Sequence, residues 1–218
     1  MDQEMNQNTS EVLAVCPRKK KDKKPVTFYS DRMIFNDETI PYSEIESVST
    51  YSSAMRYNFI FENLTTYIHF KLKDGRKLKW KNGGNSLFGL GSVKAKWTYY
   101  IAAFTATMST VVKVIAARYI ETVRQGGTIK IGGVTITPTE ISGKRIMKMT
   151  TTPLSELAGT NYGVNSVAIL RKDNKTAVNG TPCNVENALC LVYIINTLIG
   201  NQDVPELSSD DAVADSAE

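Results

Sequence analysis

Pro41-Tyr42-Ser43-Glu44-Ile45 and Pro153-Leu154-Ser155-Glu156-Leu157 are two versions of one phrase. Each lies downstream of an extended stretch, Val26-Thr27-Phe28 in the first case and Val134-Thr135-Ile136 in the second. The Val-to-Pro spacing is 15 residues in one and 19 in the other, a difference that a short hairpin insertion would reconcile. Further on, Ile68 to Lys73 alternates as far as the turn Asp74-Gly75, and Val167 to Lys172 as far as Asp173-Asn174. Both turns carry residues that tolerate positive φ, as tight hairpins require. Asn82-Gly83 and Asn179-Gly180 are then expected to close the two halves, each before a helical pattern. Such a series arises from an internal duplication or from the shared grammar of small β domains, and duplication is the favoured reading.

The helices have legible faces. Trp97, Ile101, Phe104, Met108, Val112, Ile115 and Tyr119 recur at three- and four-residue intervals and predict one apolar stripe. The spacing places a helix over 92–124, stopped by Gly126-Gly127. At 1.5 Å per residue it would be about 50 Å long, too long for one small domain to cover. It is expected to kink, to bridge both halves or to pair with a second copy. In the second half Asn184 is read as an N-cap, with Val185, Leu189, Val192, Tyr193, Asn196 and Ile199 as a face ended by Gly200. The uncharged run Trp97–Val112 has 16 residues, five of them Ser or Thr, which fits a buried soluble helix better than a span of about 20 apolar residues.

A strand series followed by one terminal helix, twice over, resembles the bacterial pleckstrin-homology-like (PH-like) domains. The residues that carry the likeness are Asp31-Arg32-Met33-Ile34-Phe35 and Ile40-Pro41-Tyr42-Ser43-Glu44-Ile45-Glu46-Ser47-Val48. Gly133-Val134-Thr135-Ile136 and Pro153-Leu154-Ser155-Glu156-Leu157 form a more divergent copy. The resemblance covers about residues 26–200 and implies an α+β fold of two tandem PH-like domains, each a bent antiparallel sheet capped by a C-terminal helix. Family members are mostly binding modules for proteins, peptides or lipid headgroups. The expected organisation is a disordered basic tail over 1–24, one domain over 25–125, a second over 126–200 and a disordered acidic tail over 201–218.

Composition narrows function mainly by exclusion. The 218 residues are 42% hydrophobic and 22% charged, as in an ordinary globular chain. The three cysteines, Cys16, Cys183 and Cys190, have no C-x-x-C spacing, so neither a disulfide framework nor a zinc site is expected. No apolar segment follows the polar start at Met1, and the box Leu13-Ala14-Val15-Cys16 lacks the hydrophobic run of a lipoprotein signal. A cytoplasmic location is expected, peripheral to the inner face of the membrane if the partner is lipid. The lone histidine, His69, shares a strand face with Lys71 and Lys73 and is read as solvated. In the glycine-rich run Gly83–Ser92, Gly84 and Gly89 have phosphate-loop spacing, but Leu90 and Gly91 occupy the places of Lys and Ser/Thr. That run reads as a flexible loop that either folds its own Phe88 inward, the favoured reading, or presents Leu87 and Phe88 as a contact tip. Glu44 and Glu156 read as solvent-facing turn residues, and no catalytic residue, metal or cofactor is expected.

The strongest pattern is charge. Lys71, Lys73, Lys77, Lys79 and Lys81 alternate along both arms of a hairpin whose turn holds Arg76, while Leu72, Leu78 and Trp80 take the other face. The net charge of +4 resolves into +2 for residues 1–24, −6 for 201–218 and +8 between them. Lys71, Lys73, Arg76, Lys77, Lys79 and Lys81 are therefore the candidate contact with a protein partner or an anionic lipid surface. Lysines that protect a sheet edge from aggregation would give the same pattern. Nucleic acid is the disfavoured partner, because few aromatics are expected among these lysines. The expected function is a non-enzymatic binding module. The alternative is a structural protein that forms a homodimer through the helix over 97–119.

Overall fold

A computed structural model describes residues 11–57, 61–87, 92–145 and 148–201. Strands β1 (Val12–Cys16), β2 (Val26–Tyr29), β3 (Arg32–Phe35) and β4 (Glu38–Pro41) form an antiparallel sheet in sequential order. One turn of 3-10 helix, Tyr42–Glu44, leads to a second antiparallel sheet of β5 (Ile45–Tyr57), β6 (Phe61–Leu72) and β7 (Lys77–Leu87). A long helix follows, made of α1 (Ser92–Thr107), a π-helical segment (Met108–Val112) and α2 (Lys113–Arg124). The series then recurs. Strands β8 (Ile129–Ile131), β9 (Val134–Ile136), β10 (Glu140–Arg145) and β11 (Lys148–Pro153) form the third sheet. A 3-10 turn, Leu154–Glu156, leads to β12 (Leu157–Tyr162), β13 (Ser166–Arg171) and β14 (Thr176–Pro182), and α3 (Cys190–Leu198) ends the series. The fold is thus α+β with antiparallel sheets.

The two halves share details beyond their element order. Pro41 and Pro153 each cap the 3-10 turn with φ near the fixed proline value, −61° and −58°. Ile45 and Leu157 follow at 0% and 1% exposure, and both first strand pairs slip register there, between Ile45 and Ser47 and between Leu157 and Gly159. The N–H of Lys73 donates to Glu44 O at 2.9 Å, and that of Lys172 to Glu156 O at 2.9 Å. The positive φ values of Gly75 (88°) and Asn174 (61°) turn the two hairpins. The four extra residues between Val134 and Pro153 lie in the β10–β11 hairpin, where each strand has six residues against four in β3 and β4.

Several expectations need correction. Residues 11–24 are not a tail: Val12–Cys16 pair with β2, and Cys16 is fully buried with its carbonyl 3.3 Å from Trp80 Nε1. Polar flanks hid a five-residue strand that uses only one side chain as core. Asn82-Gly83 and Asn179-Gly180 do not close strands but lie inside β7 and β14. Asn82 is 3% exposed, its Oδ1 accepting from Gly83 N and its Nδ2 donating to Lys96 O, both at 2.8 Å. The glycine run therefore continues the strand as far as Leu87. The last helix begins at Cys190 rather than near Val185, because Asn187 adopts a left-handed φ of 61°.

The long helix extends over 92–124, but its face changes along its length. Thr107, Ser109 and Thr110 return their hydroxyls to the carbonyls of Ala103 and Ala106, at 2.7, 3.2 and 2.6 Å. Such back-bonding favours the widened turn at 108–112. Across it the packing passes from β7, β6 and β1, against α1, to α3 and β8, against α2. Phe104, Met108, Val112 and Ile115 are buried and Trp97, Ile101 and Tyr119 pack against the core, as the spacing predicts, and Tyr100 and Ala103 widen the buried face of α1. By length and hydropathy the helix Val93–Arg124 could cross a membrane, but 61% of its most apolar window is buried inside the protein.

The halves are bonded directly. Thr50 N donates to Cys183 O at 2.8 Å, Asn187 N to Val48 O at 2.7 Å, and Val48 N to Asn187 Oδ1 at 3.0 Å. Residues 183–187 thereby cover the edge of β5 that does not pair with β6. Arg118 on α2 donates to the carbonyls of Ile45, Tyr42 and Ser43 at 2.8, 3.0 and 2.9 Å, so the helix staples the Pro41–Ile45 corner.

Candidate functional site

The lysine hairpin is built by strand alternation. Lys71 pairs with Lys77, His69 with Lys79 and Tyr67 with Lys81 across β6 and β7. On β5, Ser47, Ser49 and Tyr51 stand opposite Lys71, His69 and Tyr67. These residues form the outer face, because Leu72, Phe70, Ile68 and Trp80 are at most 2% exposed on the other. Lys77, Lys79 and Lys81 are exposed along β7, and Lys73 is exposed in the turn.

The charges are not equally available. Lys71 Nζ lies 2.8 Å from Glu46 Oε2, and Glu186 also contributes to raising its pKa. Arg76 is bound to Glu38 and to Asp74, both at 2.7 Å, so its guanidinium is already neutralised. Lys73, Lys77, Lys79 and Lys81 have no ion-pair partner among the described residues. These four are the cations the face offers.

Three aromatics lie among them, contrary to the sequence expectation. The Tyr67 ring stacks on Tyr51 at 4.9 Å and on His69 at 4.5 Å, each inclined by 18°, and Lys79 Nζ lies 4.5 Å from its centroid. The Tyr67 ring is thus engaged by three neighbours. The signal was present in the sequence: the Asp74-Gly75 turn sets the register that puts Tyr67 opposite Lys81. Glu186 was not legible there, because it reaches this face only through the contact between the halves. A groove of about 340 Å³ runs between Ser47, His69, Lys77, Lys79 and Glu186. Burial, then Lys79 and Lys77, holds the His69 pKa below its ordinary value, so the ring is neutral near pH 7.

Other sequence candidates fall elsewhere. Leu87 ends β7, and its side chain and Phe88 lie outside the described residues. Glu156 pairs with Arg171 at 3.2 Å, and Glu44 stands at the matching 3-10 turn of the first half. Cys16, Cys183 and Cys190 are free and buried, and burial pushes the first two thiols up to about 12. Among the described residues no three His, Cys, Asp or Glu side chains converge to hold a metal ion. What the face can do chemically is attract and orient anions. A comparison with models of known protein families finds no match. A search of curated proteins finds no similar sequence.

Proposed function

We propose that this chain is a non-enzymatic binding module of the PH-like kind, which docks an anionic partner on the face presented by the Lys71–Lys81 hairpin. The observation that carries the reading is the row Lys77, Lys79 and Lys81, exposed on one side of one strand and without ion-pair partners among the described residues. A sheet face of this kind suits an extended anionic surface, either a bilayer leaflet or the acidic face of a protein. Near an anionic bilayer each lysine contributes about 1 kcal/mol. The +8 carried by residues 25–200 supplies a long-range attraction of the same sign. The alternative of a homodimer through 97–119 draws no support from the helix, whose apolar face is covered within the chain.

The test is co-sedimentation of the full chain with phosphatidylcholine vesicles containing phosphatidylserine at low salt, beside capture on immobilised polyglutamate. Lys73→Gln, Lys77→Gln and Lys79→Gln combined should lower binding at least tenfold in whichever arm binds. Equal binding by the triple variant in that arm, or no binding in either, refutes the proposal.

A further inference from the structure

The longest basic run in the sequence, Arg18-Lys19-Lys20-Lys21, does not stand apart from the fold. It begins the connection between β1 and β2, and this connection is a built loop. Arg18 Nε and Nη2 donate to the two carboxylate oxygens of Asp22 at 2.9 and 3.2 Å, and Nη2 also donates to Lys24 O at 2.9 Å. The backbone N–H groups of Arg18 and Lys24 donate to the same carboxylate, at 2.8 and 3.2 Å. Asp22 keeps a side-chain exposure of only 4%, and the Arg18 bond holds its carboxyl down at about 2. Its charge is therefore neutralised from all sides.

Three segments distant in sequence meet beside this loop. Arg18 and Lys19 come from the loop, Lys81 from β7 and Lys96 from the second turn of α1, and they surround an open cavity of about 580 Å³. Asp22 is the one acidic residue among its described lining residues. The walls are held in place: Asn82 donates to Lys96 O, which ties the start of α1 to β7. Gly84 leaves room for the ammonium of Lys96, since a Cβ there would collide with Nζ. Arg18 uses three of its five N–H donors in the loop, and Nη1 has no partner among the described residues.

We propose that this cavity is a discrete anion site that takes a phosphate monoester or a short polyphosphate. Arg18 and Asp22 compensate each other, and the three uncompensated cations Lys19, Lys81 and Lys96, with the unused Nη1 of Arg18, favour a multiply charged group over a single carboxylate. The volume lies within the range of small-ligand sites, about 300–1,000 Å³. The ligand is either the phosphorylated headgroup of a lipid or a free phosphorylated compound. The neighbouring strand bears on the first source, because Val12, Leu13 and Val15 of β1 are 50%, 49% and 54% exposed immediately before the loop. Only Lys81 is shared with the hairpin face, so this site is distinct from the surface proposed above and survives if that reading fails.

Titration calorimetry of the full chain with tripolyphosphate at low salt tests the site. One-to-one saturable binding is expected. Lys19→Gln with Lys96→Gln should weaken it at least tenfold, while Lys77→Gln with Lys79→Gln should change it less than twofold. Gly84→Ala, which displaces the Lys96 ammonium, should weaken it severalfold in a chain with an unchanged melting temperature. Absence of saturable binding, or equal losses in the two lysine pairs, overturns the proposal. Vesicles containing phosphatidic acid or phosphatidylserine at matched charge separate the sources. A preference for phosphatidic acid that Lys19→Gln with Lys96→Gln abolishes assigns the headgroup; tripolyphosphate binding without that preference assigns the free phosphate.

Discussion

The hairpin β6–β7 and its counterpart β13–β14 share one backbone device and differ in charge. Both turn through a residue of positive φ, and both receive the 3-10 corner by a bond from the residue after the first strand. In the second half, Arg171 pairs with Glu156 and Asp173 at 3.2 and 3.3 Å, and Lys175 with Asp173 at 3.3 Å. Strand β14, Thr-Ala-Val-Asn-Gly-Thr-Pro, has no lysine row, and it packs on β10 and β11 of its own half. In the first half Lys77, Lys79 and Lys81 occupy the outer positions of β7. The frame is therefore a structural constant, and the lysine row belongs to side chains mounted on one copy of it.

The largest loss is expected at the corner that both halves share. Arg118→Ala removes three donors from the carbonyls of Tyr42, Ser43 and Ile45 and should destabilise the chain by about 2–4 kcal/mol, read from urea unfolding. Asn187→Ala should cost about 2–3 kcal/mol by the same measurement. It leaves the N–H of the buried Val48 without its acceptor and places Ala at a φ of 61°. Asp22→Asn unlatches the β1–β2 loop, which only the first half possesses in this form, at about 1–2 kcal/mol near neutral pH. The Asp22 carboxyl titrates at about 2 in the folded chain against 3.8 ordinarily. Its stabilisation is therefore complete above about pH 4 and lost as the pH falls toward 2, where wild type and variant should converge. The smallest effect sharpens the electrostatic side. Lys79→Gln should raise the pKa of His69, followed by NMR of the single histidine, because one of the cations that depress it is gone.

What could be read in the chain depended on how local its causes are. Pro41 and Pro153, Gly75 and Asn174 act through their own φ preferences, and the corners and hairpin turns follow from them. The lysine alternation was legible for the same reason, since a strand's period is intrinsic to its backbone. The start of the last helix was misplaced because Asn187 takes a left-handed conformation and bonds to Val48, 139 residues away. The stripe of the long helix was legible from its spacing, but the π-helical turn at 108–112, where Thr110 and Val111 are also buried, was not. Arg18–Asp22 looked like solvated tail because a salt bridge in a polar run resembles any other charged pair until the loop around it is seen.

The seal between residues 183–187 and β5 has a consequence for synthesis. A strand of 13 residues gains hydrogen bonds along its second edge from a segment that leaves the ribosome more than 120 residues later. Until then the nascent first half carries an open template for strand addition, the kind of edge through which partly made proteins associate wrongly. Chains halted or cleaved between the halves should therefore be sticky to one another and depend on chaperones, and the completed chain should not.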